Sequence, residues 1–171
     1  MDLTVKCSGI ACCERVFEYA MPVEEASETV VPDTMPDVER ILCAEGMVMI
    51  RSKEVTNERV NVSAVVGATV LYAPEGGEGV CTLGASIPIV VDVDAPGVTE
   101  DSSAVASLTL SNVEARMLNP RKLLVRAVVN VEIECYNRSE LSVTTGLDGD
   151  GAAGVETLCE AASISPVVCV R

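Results

Sequence analysis

The chain has no histidine and no tryptophan, and it has one phenylalanine and three tyrosines among 171 residues. Without histidine there is no Ser-His or Cys-His nucleophile pair, no ordinary general base near neutral pH and no imidazole ligand for zinc. With aromatics at 2% there are too few rings to stack single-stranded nucleic acid. Positive charge is scarce as well: 12 Lys and Arg stand against 26 Asp and Glu, a net charge of −14. Such a surface repels phosphate backbones and anionic lipid, so no nucleic-acid partner is expected. No apolar run reaches the length of a membrane span, and membrane insertion is not expected either. The opening residues Met1 to Cys7 lack the apolar core of a secretory signal, which points to synthesis in the cytoplasm. No motif calls for a cofactor or a metal, and no catalytic residue is assigned.

What the chain does have is apolar material and cysteine. Hydrophobic residues make up 49% of it, enough for a packed core. Eight cysteines occur, at 7, 12, 13, 43, 81, 135, 159 and 169, with no Cys-x-x-Cys pair. The five beyond Cys13 read either as small buried apolar residues or as disulfide partners. Cys7, Cys12 and Cys13 crowd a terminal segment with little core pattern. Neighbouring cysteines rarely bond each other but can reach two different partners. These three are candidate intersubunit disulfide positions.

Hydrophobic alternation is the strongest signal. Val60, Val62, Ala64, Val66, Ala68, Val70 and Tyr72 fall on one side of a period-two pattern, with Arg59, Asn61, Ser63, Gly67 and Thr69 opposite. Leu123, Val125, Ala127, Val129, Val131, Ile133 and Cys135 repeat it, which places Cys135 on the apolar face. Period two with β-branched residues predicts strands. Met47–Val55, Val80–Asp94 and Val105–Met117 follow, the last with a slip that predicts a bulge near Ser111-Asn112. Arg15–Val23 reads as a strand that Pro22 restricts to an edge or to its own end. Val155–Leu158 and Val167–Val170 read as weaker closing strands. Pro74-Glu75-Gly76-Gly77, Ala95-Pro96-Gly97, Asn119-Pro120 and the Gly-Asp run at 146–151 read as turns. The segment Pro36–Leu42 reads as about two turns of helix, started by Asp33 or Pro36.

The expected fold is therefore all-β. A single antiparallel β-sandwich or jelly-roll-like domain covers 15–171, preceded by an extended Cys-rich arm at 1–14.

Few motifs invite chemistry. Asp33 and Asp37 could share a face as paired carboxylates, but no third ligand type accompanies them. Asp148-Gly149-Asp150 resembles the start of a calcium loop, yet the position of its closing Glu holds Cys159. Gly76-Gly77-Glu78-Gly79 lacks the Lys of a phosphate loop and reads as a hairpin tip. Between Val60 and Ala115 there is no Lys or Arg. Arg116, Arg121, Lys122 and Arg126 then cluster, either as a solvated strand face or as a patch for the acidic surface of a neighbouring copy.

Several segments, taken in order, resemble one family. The run from Val30 to Leu42, Val-Val-Pro-Asp-Thr-Met-Pro-Asp-Val-Glu-Arg-Ile-Leu, resembles the opening of the SPOCS domain of spore-coat-associated morphogenetic proteins of Clostridia and Bacilli. Glu45-Gly46, Arg51–Val55, Val70-Leu71-Tyr72, Ile87-Pro88-Ile89 and Asn119–Ala127 follow at matching places, so the resemblance covers about 30–136. It implies a non-catalytic interaction or assembly module of the spore envelope, made in the mother cell and located finally in the coat or on the spore surface. The chain has no LysM domain, and its Cys-rich arm departs from most members. Both departures favour a self-assembling building block: a homo-oligomer or polymer formed by β-strand addition, with intersubunit disulfides and other spore-coat proteins as further partners. The alternative is a monomeric adaptor that binds another coat morphogenetic protein.

Overall fold

The computed structural model describes residues 4–148. Six strands follow in order: β1 (Thr4–Val30), β2 (Val38–Thr56), β3 (Arg59–Pro74), β4 (Cys81–Asp94), β5 (Ser103–Asn119) and β6 (Lys122–Asp148). No helix occurs among the described residues. The strands form two antiparallel three-stranded sheets, ordered β1-β6-β5 and β2-β3-β4, so the expected all-β sandwich is what the chain adopts. Strands expected at Val155–Leu158 and Val167–Val170, together with Cys159 and Cys169, lie outside the described residues.

Two compact units are present. The larger, residues 15–136, holds the core. The other contains the described residues 4–14 and 137–148.

The larger unit is built on its two central strands. In β3 every second residue from Val60 to Tyr72 is at most 4% exposed, and in β6 every second residue from Leu123 to Cys135 is at 0%. A central strand pairs on both sides and faces the opposite sheet, so its inner residues lose all their water. β-Branched side chains suit this because they are stiff and pack well on a pleated surface. Alternate residues of β4 (Leu83, Ile87, Ile89 and Val91) join the same core. Cys135 lies there too, where burial raises its thiol pKa.

Details of strand register match their sequence signals. The β5–β6 pairing runs Leu110↔Val129 and then Asn112↔Val128, which leaves Ser111 as the extra residue of a bulge. Pro22 lies in β1, an edge strand of its sheet, in keeping with the confinement of proline to edges. Gly76 and Gly79, both at positive φ, lie in the β3–β4 connection, as a hairpin tip requires.

One expectation is corrected. Pro36–Leu42 is not helical: Val38 begins β2, and Arg40 and Ile41 pair with Ala73 and Tyr72 of β3. Val38 is 1% exposed, and its amide donates to the carbonyl of Pro120 at 2.9 Å. A strand partner and a core position together outweigh two turns of helical propensity, which are marginal without tertiary support.

Gly46 marks a close approach. It pairs with Ala68 on the inner face of β2. A Cβ there would stand 2.9 Å from the Gly67 carbonyl oxygen, 3.3 Å from Val113 and 3.4 Å from Leu110. The backbone oxygen cannot rotate away, so a methyl group must displace a strand. Gly46→Ala is expected to lower the unfolding free energy by about 1–3 kcal/mol, read from urea denaturation. An unchanged midpoint would mean that β2 can move back from β5 without loss.

Candidate association surfaces

In the larger unit, the crossover between the sheets at residues 31–37 is tied to the β5–β6 turn. Arg121 is in that turn, with its amide on the Asn119 Oδ1 at 2.9 Å. Its guanidinium donates to Asp37 Oδ1 at 2.8 Å, to Asp33 Oδ1 at 2.8 Å and to the Met35 carbonyl at 2.9 Å. Asp37 is the first cause of the raised Arg121 pKa. The Val31 amide donates to the Arg121 carbonyl at 2.9 Å. Below, the hydroxyl of fully buried Tyr72 donates to the Pro36 carbonyl at 3.2 Å. Burial, with Cys81 beside it, raises the Tyr72 pKa. Asp33 and Asp37 thus serve a guanidinium, and the sequence alone had them only as a loose carboxylate pair or a cap. Among the described residues, no three Cys, Asp or Glu side chains come together as a metal site.

The other candidate contacts sit on the outer face of the β1-β6-β5 sheet. Arg126 bridges Glu114 at 2.7 Å and Glu24 at 3.0 Å. Lys122 pairs with Glu28. Arg15 adds Glu134 at 2.8 Å. Arg116 is exposed, opposite Leu124 in the ladder. Arg15, Lys122 and Arg126 each span neighbouring strands, so most of the basic cluster is neutralised by acids of its own sheet. Exposed pairs of this kind are individually weak and act mainly on register.

The outer face of the β2-β3-β4 sheet is different. Its paired positions run Cys43–Leu71–Thr82, Glu45–Thr69–Gly84, Met47–Gly67–Ser86, Met49–Val65–Pro88 and Ser52–Ser63–Val90. Glu45 is the single charge among these paired positions; exposed Arg51 stands out of the ladder in the bulge between Ile50 and Ser52. Met47 is 63% exposed, Met49 42% and Val90 60%. Gly67 makes the floor of a shallow depression walled by Met47 and Met49. Cys43 is exposed on this face and is no core residue, unlike Cys135.

The smaller unit carries the three candidate disulfide cysteines. Thr145 Oγ1 donates to the Lys6 carbonyl at 3.3 Å, and Cys12 Sγ to the Ser139 carbonyl at 3.5 Å. These contacts set 4–14 antiparallel to 137–148 as a two-stranded ribbon. Cys7 and Cys13 are exposed and Cys12 is half-buried. Successive strand residues point to opposite faces, so Cys12 and Cys13 project to opposite sides of the ribbon.

Two outcomes test the larger unit's polar contacts. In Arg121→Ala the amides of Val31 and Val38 should exchange with deuterium about tenfold faster, because the crossover they anchor opens locally; unchanged rates would show that the loop holds without the guanidinium. The second concerns pH. Glu114 is lowered from 4.5, first by its hydrogen bond from Arg126, and Glu134 likewise, first by Arg15. A carboxylate whose folded pKa is depressed adds stability above its unfolded value and loses it as pH falls through the folded one. The urea midpoint should therefore drop below about pH 4.5, and drop less in Arg126→Gln. An equal acid slope in both proteins would remove the Glu114 contribution.

No curated protein and no solved structure matches the chain. Residues 37–118 match the family model described as SipL, SPOCS domain. That stretch runs from the start of β2 to the end of β5. It contains Gly46, the core alternation of β3 and the low-charge face. The match agrees with the resemblance carried by the motifs: residues 37–118 are similar to the SPOCS domain.

Proposed function

We propose that this protein is a non-catalytic structural component of the bacterial spore envelope that self-associates by β-strand addition through the 4–14/137–148 ribbon. The SPOCS family suggests a sporulation-related role and is not a known enzyme family. The observation that carries the reading is the ribbon itself. A two-stranded ribbon is marginal in water and gains stability from further strands. Residues 5–10 are exposed throughout, apolar Val5 and Ile10 among them. In the larger unit, Pro22 on the β1 edge and Pro88 on the β4 edge discourage added strands there, and the proline-free β2 and β5 edges pack against each other. The ribbon carries no proline, so strand addition is directed to it.

Cys7, Cys12 and Cys13 then lock neighbouring copies covalently. Because Cys12 and Cys13 face opposite ways, one strand reaches two neighbours. A contact whose rotation does not close propagates as a filament. The product is deposited in the coat or on the spore surface after synthesis in the mother cell.

Light scattering coupled to size exclusion tests this on the full chain. Oxidised protein should elute as large species that shrink on reduction and that fail to form in a C7S/C12S/C13S variant. A monomer under oxidising conditions would favour the adaptor role and refute self-assembly. Large species that persist in the triple variant under reductant would refute the disulfide lock.

A further inference from the structure

The two sheets of the larger unit differ on their outer faces, and the difference points to a second contact. The β1-β6-β5 face is laced with ion pairs, as a solvated sheet face should be. The β2-β3-β4 face has one charge among five successive paired rows, apart from exposed Arg51 in the bulge between Ile50 and Ser52, with Met47, Met49 and Val90 raised around small residues at Gly67, Gly84 and Ser86. On a chain of net charge −14, a stretch this poor in charge is the part of the surface that like molecules can bring together without repulsion.

We infer that this face binds the same face of a second copy, sheet on sheet, about a twofold axis that crosses the strands at the Met47 row. Area, apolarity and charge all bear on the choice of occupant. β4 has 14 residues, so the face measures about 46 Å by about 14 Å. That is about 650 Å² per copy, at the lower end of what specific interfaces bury on each partner. The apolar centre supplies the burial. Methionine, unbranched and polarisable, fills the irregular gap above a glycine floor.

Charge selects the orientation. One end of the face is acidic, with Glu54, Asp92 and Asp94, of which the last two share Arg59. The other end carries Arg40, exposed and opposite Ala73. An axis along the strands would lay the acidic end over the acidic end of the partner. An axis across the strands keeps β2 over β2 of the partner and lays Arg40 over its Glu54 at both ends of the interface. Complementarity of this kind sets orientation and on-rate more than affinity.

This contact is separate from the ribbon and holds with the cysteines removed. The test therefore uses the full-length C7S/C12S/C13S chain under reductant, by sedimentation velocity up to about 100 µM, a range suited to an interface of modest area. A reversible dimer is expected. Met49→Glu should weaken it by about a hundredfold, since it buries a carboxylate at the centre, while circular dichroism stays unchanged. Arg40→Asp should weaken it by about tenfold, and Arg40→Asp with Glu54→Arg should recover most of the loss. A monomer at every concentration overturns the inference and leaves the ribbon reading standing. A dimer indifferent to Met49→Glu places the contact elsewhere and also overturns it. A reductant-resistant dimer abolished by Met49→Glu, in a protein that forms no larger oxidised species, supports the face and refutes the ribbon.

Discussion

A single guanidinium joins the two sheets of the larger unit at their crossover. Arg121 leaves the β5–β6 turn and reaches Asp33, Asp37 and the Met35 carbonyl in the loop that carries the chain from β1 to β2. On either side of that loop, Val31 and Val38 are buried and their amides bond to the Arg121 and Pro120 carbonyls. The need for such a fastening follows from the core. It is made mostly of Val, Ile and Ala with one fully buried tyrosine. Side chains so alike in shape pack densely but discriminate poorly between neighbouring registers, whereas directional bonds to a planar fork fix one. The tyrosine sits under the same loop and bonds it at Pro36.

Once the crossover is fastened, the faces follow. β2 and β5 approach closely where Gly46 faces Val113 and Leu110, beside the Ser111 bulge. The inner faces are dry, and the outer faces diverge in chemistry. One is held in register by cross-strand ion pairs; the other is smooth, thioether-rich and nearly uncharged. A sandwich with prolines on its β1 and β4 edges, and with its β2 and β5 edges packed on each other, is a poor template for strand addition from the side. Its outer face and the 4–14/137–148 ribbon are then the surfaces through which the protein can meet other chains.

Much of this was legible in the residues. The alternation in β3 and β6 could be read because a central strand is dry on one face, and period two then leaves no ambiguity about orientation. The bulge showed as a broken alternation, and Cys135 as a member of an apolar row. Of the readings open to Cys43, the buried one fails because β2 is an edge strand, where an apolar residue can be exposed at small cost. The helix expected at Pro36–Leu42 came from a Pro-Asp start signal that is real in isolation. Its carboxylates were instead engaged by Arg121, 84 and 88 residues away in sequence.

Composition and periodicity alone therefore determined that the chain is all-β, that catalysis by histidine is excluded and which residues line the core. These depend on residue type and on spacings of two, which are local. Tertiary structure decided what Asp33 and Asp37 bind, which acids neutralise Lys122 and Arg126, and which outer face is left bare. Each of these depends on which strands become neighbours, and that is settled by contacts between residues far apart in the chain.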